Sequence, residues 1–152
     1  MLQRIQSVYL FLSAVFLGLM FSFPYVSFLG RDIQIYTLGP AGLVRFTDGE
    51  RLMDIYPVLI LLLLTLLISV ISIFLYKNRV RQMRYSVFNM LLMLGLLILI
   101  GYYIFYAKNQ LDARMIFKVP LIFPLLSILF TYLAFRNIRK DEILIKSVDR
   151  IR

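Results

Sequence analysis

The polar groups best placed for chemistry in this chain lie at its two ends. They are Gln3, Arg4 and Gln6 near the start and Asp141, Glu142 and Asp149 near the finish. Carboxylates serve as an acid–base pair when their surroundings push their pKa values apart. Here the three acids are interleaved with Arg139, Lys140, Lys146 and Arg150, the pattern of a salt-bridged face. The chain has no histidine and no cysteine, so imidazole acid–base chemistry, thiolate nucleophiles, disulfides, zinc–thiolate sites and histidine-ligated haem are all excluded. No phosphate-binding glycine loop, metal-ligand cluster, catalytic triad or pair of carboxylates within an apolar run is present. The sequence therefore predicts no enzyme, no cofactor and no metal site.

The elements that carry these ends are apolar. Of 152 residues, 61% are hydrophobic and 16% charged, and the mean hydropathy is +0.85. Such a composition is that of a multi-pass membrane protein, not of a soluble domain. Four apolar runs, 5–23, 55–76, 85–106 and 119–135, contain no ionised side chain, so each can be buried in lipid without a charge-transfer penalty. The first is too long for a secretory h-region and no small-residue cleavage site follows it, so it is read as a retained anchor. In the last run, Pro120 belongs near the helix start and Pro124 predicts a bend.

Lysine and arginine set the orientation. Arg4, the four bases of "KNRVRQMR" (77–84) and the six from Arg136 onward put eleven on one side, against six in segments 24–54 and 107–118. The positive-inside rule places both termini and the 77–84 loop in the cytoplasm of a bacterial inner membrane. That orientation accounts for the basic loop, so nucleic acid is not an expected partner. The net charge of +9 favours anionic lipid headgroups at the cytoplasmic face.

Segment 24–54 is too long for a tight turn. Ile33 and Ile35 alternate with Gln34 and Tyr36, "GPAG" signals a turn, and "LVRF" can return, which predicts a small hairpin of 32–36 with 43–46. Within the spans, Thr65, Ser69 and Ser72 share one helical face, and Ser86 and Asn89 open the third run; interhelical hydrogen bonding is the expected use. Ala14, Gly18 and Ser22 have the spacing that lets helices approach closely. Tyr102, Tyr103 and Tyr106 read as interfacial anchors.

The fold expected is thus an all-α membrane protein: a four-transmembrane-helix bundle (1–135) with a small extracytoplasmic β-hairpin in the 24–54 loop. A cytoplasmic amphipathic helix (136–152) closes the chain. On that helix Leu144, Ile145, Val148 and Ile151 form an apolar stripe, and Glu142 precedes Lys146 in the favourable order for an ion pair. A basic-flanked stripe beside a membrane suits the interface, a partner or its own bundle. Because Gln3, Arg4 and Gln6 can donate to Asp141, Glu142 or Asp149, the tail is expected to fold back onto the start of the first span.

The opening "MLQRIQS" and the ending "RKDEILIKSVDRIR" resemble the two ends of a family of small Bacteroidota inner-membrane proteins, domain of unknown function 4293. The resemblance rests on Gln3, Arg4, Gln6, Arg139, Lys140, Asp141, Glu142, Ser147, Asp149 and Arg150. It implies a four-span architecture and no activity. Together with the residues, it points to a structural or accessory subunit that docks a membrane-protein partner, or a second copy, through its cytoplasmic tail. A small oligomeric channel or transporter component is the alternative.

Overall fold

A computed structural model describes residues 2–30 and 34–149. Helix α1 (Leu2–Leu19) leads through β1 (Val26–Leu29), β2 (Ile35–Gly39), β3 (Gly42–Arg45) and β4 (Arg51–Met53) into α2 (Tyr56–Phe74). A single 3-10 turn joins α2 to α3 (Arg79–Leu111). Strand β5 (Arg114–Phe117) and a second 3-10 turn (Val119–Ile122) then lead to α4 (Phe123–Asp149).

The helices form where the apolar runs are uninterrupted by glycine pairs or interior proline. Pro57 sits in the first turn of α2, where its missing N–H costs nothing. Three helical segments, Tyr56–Phe74, Arg79–Leu111 and Val119–Leu144, are long and apolar enough to cross a membrane. The apolar part of α1, Ile5–Leu19, is shorter. At 33 residues, α3 is about 50 Å long and so outreaches a hydrocarbon core of about 30 Å. It ends at Asp112, which takes the left-handed conformation (φ 41°) common at helix C-termini. Each helix packs on its sequence neighbours, and α4 also packs on α1, closing a ring.

All five strands join one antiparallel sheet in the order β4-β3-β2-β1-β5. β1 pairs on one side with β2 (Phe28 opposite Tyr36) and on the other with β5 (Phe28 opposite Met115). The sheet therefore stitches the α1–α2 connection to the α3–α4 connection. Val26, Phe28, Tyr36, Leu38 and Leu43 point inward and share a core with Leu17, Met20, Val58, Leu62, Met93, Leu96 and Ile100 from α1, α2 and α3. The β2–β3 turn closes on Gly42, whose φ of +119° and position against the Met53 carbonyl exclude any side chain; a Cβ there would lie 2.3 Å from that oxygen.

This architecture corrects the all-α expectation. A five-stranded sheet lies where a small hairpin was predicted. The hairpin itself is Ile35–Gly39 with Gly42–Arg45, shifted from 32–36 with 43–46, and residues 32 and 33 lie outside the described residues. The sheet was underestimated because β1, β4 and β5 are three to four residues long and β5 pairs across most of the chain. No bend forms at Pro124, because the helix begins at Phe123 and leaves the proline in its first turn. The amphipathic tail is no separate element either: α4 runs unbroken from Phe123 to Asp149.

Candidate functional site

Helices α1 and α4 run antiparallel, which brings the first turns of α1 to the last turns of α4 at the end remote from the sheet. There the Gln6 side-chain amide donates to the Asp141 carboxylate, and both residues are buried, at 3% and 8% exposure. A buried carboxylate is stable only with donors to its oxygens, so this contact fixes the register of the two helices at that end. Antiparallel packing, and not a fold-back of the tail, brings the ends together.

The other predicted residues of this end are distributed as follows. Gln3 and Arg4 lie in the first turns of α1, with side chains outside the described residues. Arg139 and Lys140 are exposed and Glu142 is half-buried and engaged in an interaction. Leu144 is exposed at 59%. Ile145, Val148 and Asp149 belong to α4 with side chains outside the described residues, while Arg150 and Ile151 lie outside them altogether, so the proposed stripe is represented by Leu144 alone.

Further along the same pair of helices is a polar knot that the sequence reading missed. Ser13 Oγ donates to the Ser127 carbonyl and Ser127 Oγ donates to the Ser13 carbonyl, each at 3.1 Å. Ser13 Oγ also lies 2.9 Å from Thr131 Oγ1, and Thr131 in turn donates to the Ser127 carbonyl at 2.8 Å. All three side chains are fully buried. Phe16 stacks on Phe130 next to the knot, with ring centroids 5.7 Å apart. The signal was Ser127 and Thr131 at i and i+4 in an otherwise apolar run. At Gly18 the expected close approach does not occur, since a Cβ there would meet nothing within 4 Å, whereas Ala14 is buried.

A second seam joins α2 and α3. Asn89 Nδ2 donates to Ser69 Oγ at 2.7 Å, and Gln82 Nε2 donates to the Ser72 carbonyl at 3.0 Å. Ser86 and Thr65 instead donate within their own helices, to the carbonyls of Gln82 and Leu62. Ser69 and Asn89 thus bond between helices as their positions suggested. Gln82 was read only as part of the basic loop.

At the sheet end the polar groups have a different character. Arg45 Nη1 reaches Glu50 at 3.0 Å and Asp48 at 3.3 Å, and its guanidinium lies 5.9 Å from the Tyr36 ring centre. The hydrogen bond to Asp48 is the main cause that holds the Arg45 pKa above its ordinary value. Tyr25 is fully buried beside β1, and its hydroxyl has no partner among the described residues. Burial pushes its pKa well above the usual phenol value. Tyr102 and Tyr106 are exposed and stack along the outside of α3, 6.3 Å apart. Among the described residues no group of three or more acidic side chains could hold a metal ion.

The geometry offers helix-locking contacts and an exposed basic surface at the terminal end. In agreement with the terminal motifs, residues 2–151 match the family model described as Domain of unknown function (DUF4293), and the chain belongs to that family. No curated protein matches it significantly.

Proposed function

We propose that this DUF4293 protein is a multi-pass inner-membrane protein, with both termini cytoplasmic, that serves as a structural or accessory subunit of a membrane complex. The observation that carries this reading is how the buried polar side chains are used. Gln6, Ser13, Ser127 and Thr131 bond between α1 and α4, and Ser69, Gln82 and Asn89 bond between α2 and α3. Polar groups spent on holding helices together do not provide a transport path, which needs polar groups facing a cavity. Three segments have the length and composition to span, and α1, at about 27 Å, serves as a fourth crossing with its basic start at the interface. The excess of lysine and arginine on the 77–84 loop and beyond Arg136 supports the orientation. The exposed Arg136, Arg139 and Lys140 then form the docking face.

Orientation is tested directly, because a chain with no cysteine needs no background removed. Lys140→Cys and Thr47→Cys, both exposed positions, should label from opposite sides of the membrane. Labelling from the same side overturns the topology. The accessory role is tested by purifying the full chain in mild detergent beside Arg136→Glu/Lys140→Glu. A stoichiometric membrane-protein partner retained by the first and lost from the second is expected. A chain that purifies alone in both forms and conducts ions after reconstitution overturns it.

A further inference from the structure

Between α3 and α4, at the terminal end, lies a groove of about 660 Å³ whose floor includes Val87, Phe88, Leu91 and Phe135. Arg84 and Arg139 line it, both exposed, with Glu142 as the only acid lining it among the described residues. A second hollow of about 350 Å³ adjoins it: the two share Arg84 and Phe88, and the second adds Arg81 and Tyr85. The arginines lie where the apolar runs end. Arg84 immediately precedes the run that starts at Tyr85, and Arg139 follows the one that ends at Phe135.

The geometry points to a binding site for one anionic diacyl phospholipid, with its phosphate between Arg84 and Arg139 and its acyl chains along the apolar groove floor. Three features select that occupant. The charge is complementary: three guanidinium groups face one carboxylate, and guanidinium forms two parallel hydrogen bonds to phosphate oxygens. The depth is that of a headgroup, since the arginines mark the boundary between apolar and polar sequence on both helices. The floor is apolar, since Val87, Phe88, Leu91 and Phe135 line the groove beside the arginines as acyl chains lie beside a headgroup. A free phosphate would leave the exposed Phe88 and Leu91 uncovered (52% and 61%).

The inference rests on the membrane-spanning reading above and not on the accessory role. Full-length protein released from nanodiscs holding equal amounts of phosphatidylglycerol and phosphatidylcholine, and analysed by native mass spectrometry, tests it. One phosphatidylglycerol should remain bound. Arg84→Gln/Arg139→Gln should weaken its retention about thirty-fold, the equivalent of two interfacial charges. Arg79→Gln, which lines neither hollow, should change it by no more than about fivefold, the equivalent of one interfacial charge. Leu91→Trp, which fills the floor while keeping both arginines, should displace the lipid and decides the matter if the double variant does not fold. Equal retention of the two lipids, or a loss in Arg79→Gln as large as in the double variant, overturns the site while leaving the spanning reading intact. Release of the protein from membranes by alkaline carbonate overturns the spanning reading itself.

Discussion

The two ends of the molecule are held together by different physics. At the sheet end, backbone ladders join distant segments, and Val26, Phe28, Tyr36 and Leu38 bury apolar surface against the helix tips. At the terminal end, side chains do the work: Gln6 meets Asp141, Gln82 meets Ser72, and the exposed surface is basic. On the membrane-spanning reading proposed above, the division follows the solvent. Where water is present, burying apolar area is the main source of stability. Between helices in lipid that term vanishes, because the surroundings are as apolar as leucine, and packing and polar pairs must specify the contacts.

The largest effect should come from the sheet end. Gly42→Val forces a side chain into the Met53 carbonyl at a backbone conformation that L-residues avoid, and should cost about 3 kcal/mol or more. It should also make segment 24–54 protease-sensitive before the helices melt. A chain that keeps its protease resistance would show that β3 and β4 do not need this turn.

The next effect belongs to the terminal end. Gln6→Leu or Asp141→Leu alone leaves a buried polar partner unmatched, at about 1–3 kcal/mol. The double variant should recover most of that loss, and thermal unfolding in detergent measures the coupling. Additive losses would mean that the two residues act independently.

Tyr25 gives a smaller and opposite change. Its buried hydroxyl lacks a partner among the described residues, so Tyr25→Phe should be neutral or stabilising by up to about 1 kcal/mol. Its folded pKa is raised, so the folded state holds the proton longer than the unfolded state does. Stability from this group is therefore complete below the unfolded phenol value of about 10 and falls as pH rises beyond it. Tyr25→Phe should lessen that alkaline loss, as unfolding curves on either side of pH 10 would show.

The smallest effect is expected at the helix knot. Ser13→Ala should cost only about 0.6 kcal/mol, the usual value of an interhelical hydrogen bond in membranes. A loss several times larger would mean that the reciprocal bonds act as one cooperative unit.

These two regimes also decided what could be read in the sequence. The run 55–76 announced α2 because twenty-two mostly apolar residues without a charge have few other uses. Gln6 and Asp141 could be suspected as partners because polar residues at the two ends of an apolar chain have little else to meet. The sheet was hidden for the opposite reason. Its strands are three to five residues long, too short for periodicity to build up, and β1 lies in the 24–54 segment just beyond the first apolar run, with only four residues to mark it. Ser13 was hidden by its neighbours, since spacing drew attention to Ala14 and Gly18 while the bond depends on what faces the helix from α4.

The pairing of β1 with β5 also carries a consequence for synthesis. Residues 26–29 leave the ribosome long before residues 114–117 exist. At about 5–20 residues per second, the edge of β1 stands open for on the order of 5–20 s. During that interval the edge of β1 away from β2 is unpaired, a template that another chain could pair with. The last strand therefore acts as a closing stitch, and the newborn chain is most vulnerable, and most in need of a chaperone, before that stitch is made.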